Sequence, residues 1–249
     1  MSGHSKWATI KHKKGAADKA RAKVFNKIAR QLEVAAREGG ADPSSNASLR
    51  TVIQKAKAAQ MTNDAIDRAV KRGAGLGADG AQYEAIMYEA YLPGGAALLI
   101  DVLTDNRNRS GADVRAVFSK QGGSMAEPGA VGWQFSRRGL IIANGPDEDT
   151  VMMAALDAGA DDVTPDGDSW RITCEPSKVY EVRDGIQAQG IEVLSAESTM
   201  VSSVTVDVTS ADDARKILRI MDTLDDLDDV QDVYSNFDIS DELVEQLGE

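Results

Sequence analysis

Residues 139–200 read GLIIANGPDEDTVMMAALDAGADDVTPDGDSWRITCEPSKVYEVRDGIQAQGIEVLSAESTM, and this stretch decides the fold. Leu140 to Ala143 is an apolar run of strand length. Glu148 to Ala158 changes to a helical period, with Val151, Met152, Ala155 and Leu156 on one face. Asp162 to Thr164 and Ser169 to Cys174 flank Asp166-Gly167-Asp168, a turn composition that predicts a hairpin. Lys178 to Gln189 is a second helix closed by Gly190, and Ile191 to Ala196 is a last strand. The order β-α-β-β-α-β is that of a ferredoxin-like domain.

Upstream, Ile86 to Leu92 alternates, Pro93-Gly94-Gly95 turns, and Ala96 to Leu103 is a buried strand. The polar loop Asp105 to Ser110 caps a helix that carries Val114, Val117 and Phe118 and stops at Gly122-Gly123. A strand through Val131, Trp133 and Phe135 follows. One helix leaves part of such a sheet face uncovered. Downstream, a strand at Val204 to Val208, a helix at Ala211 to Leu224 and a strand at Val230 to Phe237 supply what is missing. We therefore expect one acidic α/β domain in two pieces, residues 77–136 and 201–249, with residues 137–200 inserted between them.

The first 76 residues have a different character. Met1 to Gly75 holds sixteen Lys and Arg against six Asp and Glu, a net of +10, whereas the whole chain carries −12. The remainder is therefore −22, and the overall pI near 4.7 hides a basic module. A split of this kind points to a nucleic-acid partner for one part only. Residues 3–14 show neither a helical nor a strand period. They read as an extended arm anchored by Trp7, with Lys6, Lys11, His12, Lys13 and Lys14 placed along phosphates. From Ala16 to Arg37 the period is 3.6. Ala17, Val24, Phe25, Ile28, Leu32 and Ala35 form an apolar stripe. Lys19, Lys23, Lys27, Arg30 and Arg37 lie within about 80° of one another at 100° per residue, a cationic ridge on the same helix.

Two shorter helices follow. One carries Leu49, Val52, Ile53 and Ala56. The other follows the Gln60-Met61-Thr62 turn, carries Ala65, Ile66, Ala69 and Val70, and ends in Lys71-Arg72-Gly73. The spacing resembles a helix-turn-helix, but Asp64 and Asp67 open the helix that would enter a groove. Gly75, Gly77 and Gly80 match G-x-G-x-x-G literally. The match follows a helix and precedes a strand, the reverse of the dinucleotide-binding context, so it reads as a linker. The aspartates from Asp222 to Asp232 lack the spacing of a calcium loop and read as a solvated acidic loop.

No nucleophile elbow, P-loop, H-E-x-x-H or cysteine pair is present, so we expect no enzyme, cofactor, metal or small-molecule substrate. Cys174 alternates with Ile172 and reads as a core residue. No apolar run approaches ~18 residues and no apolar secretory stretch opens the chain, so the expected location is cytoplasmic, away from membranes.

Gly3-His4-Ser5-Lys6-Trp7-Ala8 followed by Ile10-Lys11-His12-Lys13-Lys14 resembles the opening signature of the YebC family, whose mitochondrial relatives are translational activators of cytochrome oxidase. Ala56-Lys57-Ala58-Ala59, Ala69 to Gly73, Tyr88-Glu89-Ala90-Tyr91, Thr104 to Arg109, Glu127-Pro128-Gly129 and Asp228 to Gln231 extend the resemblance along the chain. Thr9, Gln60 and Thr62 depart mildly from it. The resemblance implies an α+β protein, with an N-terminal three-helix domain followed by two ferredoxin-like α/β domains, one inserted in the other. It implies no catalysis. It implies either a transcriptional regulator on promoter DNA or a ribosome-associated factor that eases difficult nascent sequences such as proline runs. The partners implied are ribosomal or transfer RNA with ribosomal proteins, or promoter DNA. A protein-interaction module tethered by its basic arm is the third possibility. Beside the arm and ridge, Lys71, Arg72, Arg107 and Arg109 are candidate phosphate contacts, the last two because they precede a helix N-terminus.

Overall fold

The computed structural model describes residues 18–75 and 82–248. It is a mixed α+β chain with four separate apolar clusters among the described residues, the smallest formed by Ala97, Leu99, Val131, Phe135 and Tyr234.

Helices α1 (Asp18–Gly39), α2 (Ala47–Ala58) and α3 (Asn63–Gly73) pack around Ile28, Leu32, Leu49, Ala56, Ile66 and Ala69. Val24, at the edge of the expected stripe, stays 40% exposed. Asn46 closes two helices at once. Its Nδ2 donates to the carbonyls of Ala35 (2.7 Å) and Gly40 (2.8 Å), satisfying the end of α1, and its Oδ1 accepts from Leu49 N (3.0 Å) at the start of α2. Gly73 lets α3 cross α1 closely, since a Cβ there would lie 2.2 Å from the Glu33 carbonyl oxygen.

The first sheet has the order β3-β1-β2-β9, all antiparallel, built from β1 (Glu84–Tyr91), β2 (Ala97–Thr104), β3 (Ser124–Ala126) and β9 (Val230–Ser235). Its apolar face is covered by α4 (Arg107–Gln121) and α7 (Ala211–Asp225), through Val114, Val117, Phe118, Ala214, Ile217 and Met221. The strand that completes this sheet therefore comes from beyond residue 200. The second sheet has the order β5-β6-β4-β7, from β4 (Phe135–Asn144), β5 (Asp162–Asp166), β6 (Ser169–Cys174) and β7 (Glu192–Ser202). In sequence order that is the 4-1-3-2 arrangement of a ferredoxin-like sheet. Helices α5 (Glu148–Asp157) and α6 (Val179–Ala188) cover it, with Cys174 fully buried and its thiol pushed up to about 11 by burial.

Four expectations change. The strand through Val131 and Trp133 is a short 3-10 turn, Gly132–Gln134, and β4 begins only at Phe135. Glu89 is the reason, because it takes the backbone donors a strand ladder would need. Second, the strand at 204–208 shrinks to β8 (Val206–Asp207), parallel to β10 (Phe237–Asp238). Third, an additional helix, α8 (Asp241–Gly248), packs Leu243, Val244 and Leu247 on the first sheet's core. Fourth, the aspartates of 222–232 do not form one solvated loop: Asp222 and Asp225 belong to α7, Asp232 to β9, and Asp225, Asp229 and Asp232 are partly buried while Asp222, Asp226 and Asp228 stay exposed.

Candidate nucleic-acid interface

The ridge of α1 points away from the three-helix core, because its residues lie roughly opposite the apolar stripe on a 3.6-residue helix. It meets the C-terminal end of α7. Lys23 Nζ donates to Asp226 Oδ1 (2.8 Å) and to the Asp226 carbonyl (2.9 Å). One turn on, Lys27 Nζ donates to the Asp225 carbonyl (2.9 Å) and Oδ1 (3.3 Å). Arg30 Nη1 donates to the Asp228 carbonyl (2.8 Å) and Asp229 Oδ1 (3.0 Å). The carbonyls at a helix C-terminus lack intrahelical donors and carry the negative end of the dipole, so this row of cations and that helix end are complementary. Lys55 of α2 adds a pair with Asp232 at 3.3 Å. These contacts join residues some 200 positions apart.

Asp229 is the centre of the corner. Its Oδ2 accepts from Arg109 Nη2 (2.6 Å), Ser110 Oγ (2.7 Å) and Thr104 Oγ1 (3.1 Å), while Oδ1 receives Arg30. Burial pushes the Asp229 carboxyl up, but the hydrogen bonds from Arg109, Ser110 and Thr104 outweigh it and hold the pKa below the ordinary value. Arg109 also reaches Asp105 (2.9 Å), and Arg107 reaches Glu84 (3.1 Å). Asn106 caps α4 through Oδ1, which accepts from Arg109 N. The Asn106–Arg109 segment is thus engaged within the chain. Arg30 also lies over the Tyr83 ring, 5.6 Å from its centre.

Of the remaining candidates, Arg72 is held by Glu33, with Nε to Oε1 at 2.8 Å, and Lys71 is exposed. Lys6, Trp7, Lys11, His12, Lys13 and Lys14 lie outside the described residues, as does the side chain of Lys19. Among the described residues, no group of three His, Cys, Asp or Glu side chains is placed to hold a metal ion, and no helix is long and apolar enough to cross a membrane.

One arrangement was not legible in the sequence. Glu89 on β1 is buried. Its Oε1 accepts from Gly129 N (2.6 Å), and its Oε2 from Val131 N (2.7 Å) and Gly132 N (2.8 Å). Burial raises its pKa, and the three backbone donors more than offset this, leaving it below the ordinary value. The loop after Glu127-Pro128 is therefore fixed in shape. Trp133, 71% exposed, projects from the same turn with Nε1 donating to the Ala130 carbonyl. A polar residue between apolar neighbours in β1 was the only available signal.

Residues 5–76 match the family model of the TACO1/YebC protein N-terminal domain, and residues 83–237 match that of the TACO1/YebC second and third domain. The chain belongs to the TACO1/YebC family. Relatives of this TACO1/YebC chain include proteins named probable transcriptional regulatory protein from Salinispora arenicola (53% identical) and Beutenbergia cavernae (51%), each aligned over 100% of both chains. One from Rubrobacter xylanophilus is 50% identical over 99% of both. Among solved structures, a conserved hypothetical protein from Aquifex aeolicus is similar at TM-score 0.77 and 38% identity, covering 90% of this chain and 93% of that one. The TACO1/YebC chain is thus a member of a family whose relatives carry a regulator's name.

Proposed function

We propose that the protein is a non-enzymatic, nucleic-acid-binding regulator of gene expression, acting in the cytoplasm on structured RNA as a ribosome-associated factor that eases difficult nascent sequences such as proline runs. The observation that carries this is the charge division, a +10 helical module on a −22 body. We take the units as residues 1–76, residues 77–136 with 201–249, and residues 137–200. The basic arm faces phosphates and the first helix supplies the adjoining cations, while the acidic units sit beside basic ribosomal proteins.

RNA is favoured over a DNA groove by α3. Its Ile66, Ala69 and Gly73 are buried against its own bundle, Arg72 is tied to Glu33, and its exposed face opens with Asp64 and Asp67. A recognition helix uses those N-terminal positions to reach base edges. An irregular RNA surface makes no such demand. The second reading, a DNA-binding transcriptional regulator, is favoured by the name of the relatives.

The test is sedimentation with ribosomes at near-physiological salt against duplex DNA competitor, using wild type and a charge reversal of Lys11, Lys13 and Lys14. Co-sedimentation that survives DNA and is lost in the variant supports the RNA reading. Specific duplex binding without ribosome association replaces it with the transcriptional one. An unchanged variant removes the arm from the interface.

A further inference from the structure

We propose that the acidic end of α7 is a built-in competitor for nucleic acid. In the form described here it occupies the Lys23–Lys27–Arg30 row, and a nucleic-acid backbone binds that row by displacing it. This rests on the nucleic-acid reading above.

Four observations carry it. First, the row is already engaged with anionic oxygen. Each of the three cations reaches one carboxylate oxygen and one carbonyl oxygen, at 2.8–3.3 Å. Phosphate oxygens offer the same charge-assisted acceptors to Lys and Arg. The carboxylates of Asp225, Asp226 and Asp229 stand where phosphates would.

Second, the junction is held by charge. The apolar cluster of the three helices and the cluster under the first sheet share no residue. A cleft of about 540 Å³, lined by residues including Val34, Thr51, Asp101, Arg137 and Tyr180, lies where the helical unit meets both sheets. The cleft leaves this junction partly open, and a junction without a large packed apolar seam favours relative movement of units. Of the three pairs Lys23–Asp226 is the exposed one, and an exposed pair contributes little and is screened by salt.

Third, the row has an accessible end. The Lys23 and Asp226 side chains are 42% and 77% exposed, whereas Lys27 and Arg30 lie deeper. An incoming polyanion therefore meets Lys23 first and progresses along the helix. Fourth, release of the row leaves both sides folded. The ridge projects opposite the stripe that forms the helical core, and Asp229 keeps Arg109, Ser110 and Thr104 when Arg30 departs.

The experiment compares wild type with Asp225→Asn/Asp226→Asn for binding a fluorescent structured RNA, a stem-loop with an internal bulge, at near-physiological salt. Asp229 is left in place because it supports the fold. We expect the double variant to bind about tenfold tighter, the gain from removing two competing carboxylates. Adding Lys23→Gln and Lys27→Gln should abolish that gain. In wild type, backbone amides of residues 225–229 should exchange faster when RNA is bound. If wild type binds RNA and the double variant, folded by circular dichroism, binds no tighter, the competitor role is overturned while the nucleic-acid reading stands. If neither protein binds RNA or duplex DNA, that reading fails and this proposal falls with it.

Discussion

Arg30 and Asp229, 199 residues apart in sequence, meet at 3.0 Å, and the same carboxylate is gripped from its other oxygen by Arg109 and Ser110. One side chain thereby connects α1, the end of β2, α4 and the turn into β9. The helical unit is oriented on the first sheet at this point, and the candidate ridge faces acid because of it.

Asp229→Asn should destabilise the protein by about 2 kcal/mol, the scale of a hydrogen bond to a charged group. The pH dependence has a definite sign. A carboxylate whose folded pKa lies below its unfolded value contributes fully above the unfolded value and loses the contribution as pH falls toward the folded one. For Asp229 that loss lies below its ordinary value of 3.8. Thermal melts should therefore separate wild type from variant at neutral pH and converge in strong acid.

Asp101 works in the opposite direction. Burial, then Asp232, raises its pKa to about 6 against the partial offset of Arg137 and Lys55. The folded state holds this proton more tightly than the unfolded chain, so stability falls as pH rises from about 4 to about 6 and is then level. Asp101→Asn should raise the melting temperature at pH 8, with a gain of about 3 kcal/mol on the linkage scale. The gain should vanish below pH 4. Equal melting of the two proteins at pH 8 would show that Asp101 carries no such penalty.

Glu89→Gln replaces one acceptor oxygen with a donor that faces backbone N–H groups. One or two loop amides then lose their partner, Gly129 or the Val131–Gly132 pair, depending on which oxygen the amide nitrogen replaces. We expect a loss of about 2–3 kcal/mol and much faster hydrogen exchange at Gly129 or at Val131 and Gly132, with the helical unit unaffected. Unchanged exchange at those amides would mean that the loop holds its shape without Glu89.

Asn46→Ala removes a cap from α2 and the donor to two carbonyls at the end of α1. A cost of about 1–2 kcal/mol follows. The same contact makes Gly39→Ala unfavourable, because a Cβ there would lie 2.5 Å from Asn46 Nδ2. Melting of the two single variants and their double measures the coupling. Full additivity would show that the contacts are independent.

Much of this protein is written locally. Helix periods, the glycine at the end of α1, the caps at Asn46, Thr62 and Asn106, and the β-α-β-β-α-β order of 139–200 follow from side-chain spacing and turn chemistry, which act over a few residues. The charge division and the family signature are likewise properties of the chain as written. What α1 faces is not. Lys23, Lys27 and Arg30 have the spacing of a free cationic ridge, and Asp225, Asp226 and Asp228 have the composition of a solvated loop. Only the return of β9 beside β2 brings them together. The clamp of Glu89 on the Gly129–Gly132 backbone has the same origin. Its acceptor is a side chain on one strand and its donors are backbone groups some 40 residues on, which carry no side-chain signature. Local sequence determined the elements and their charges. Tertiary pairing decided which charges are spent within the fold and which remain for a partner.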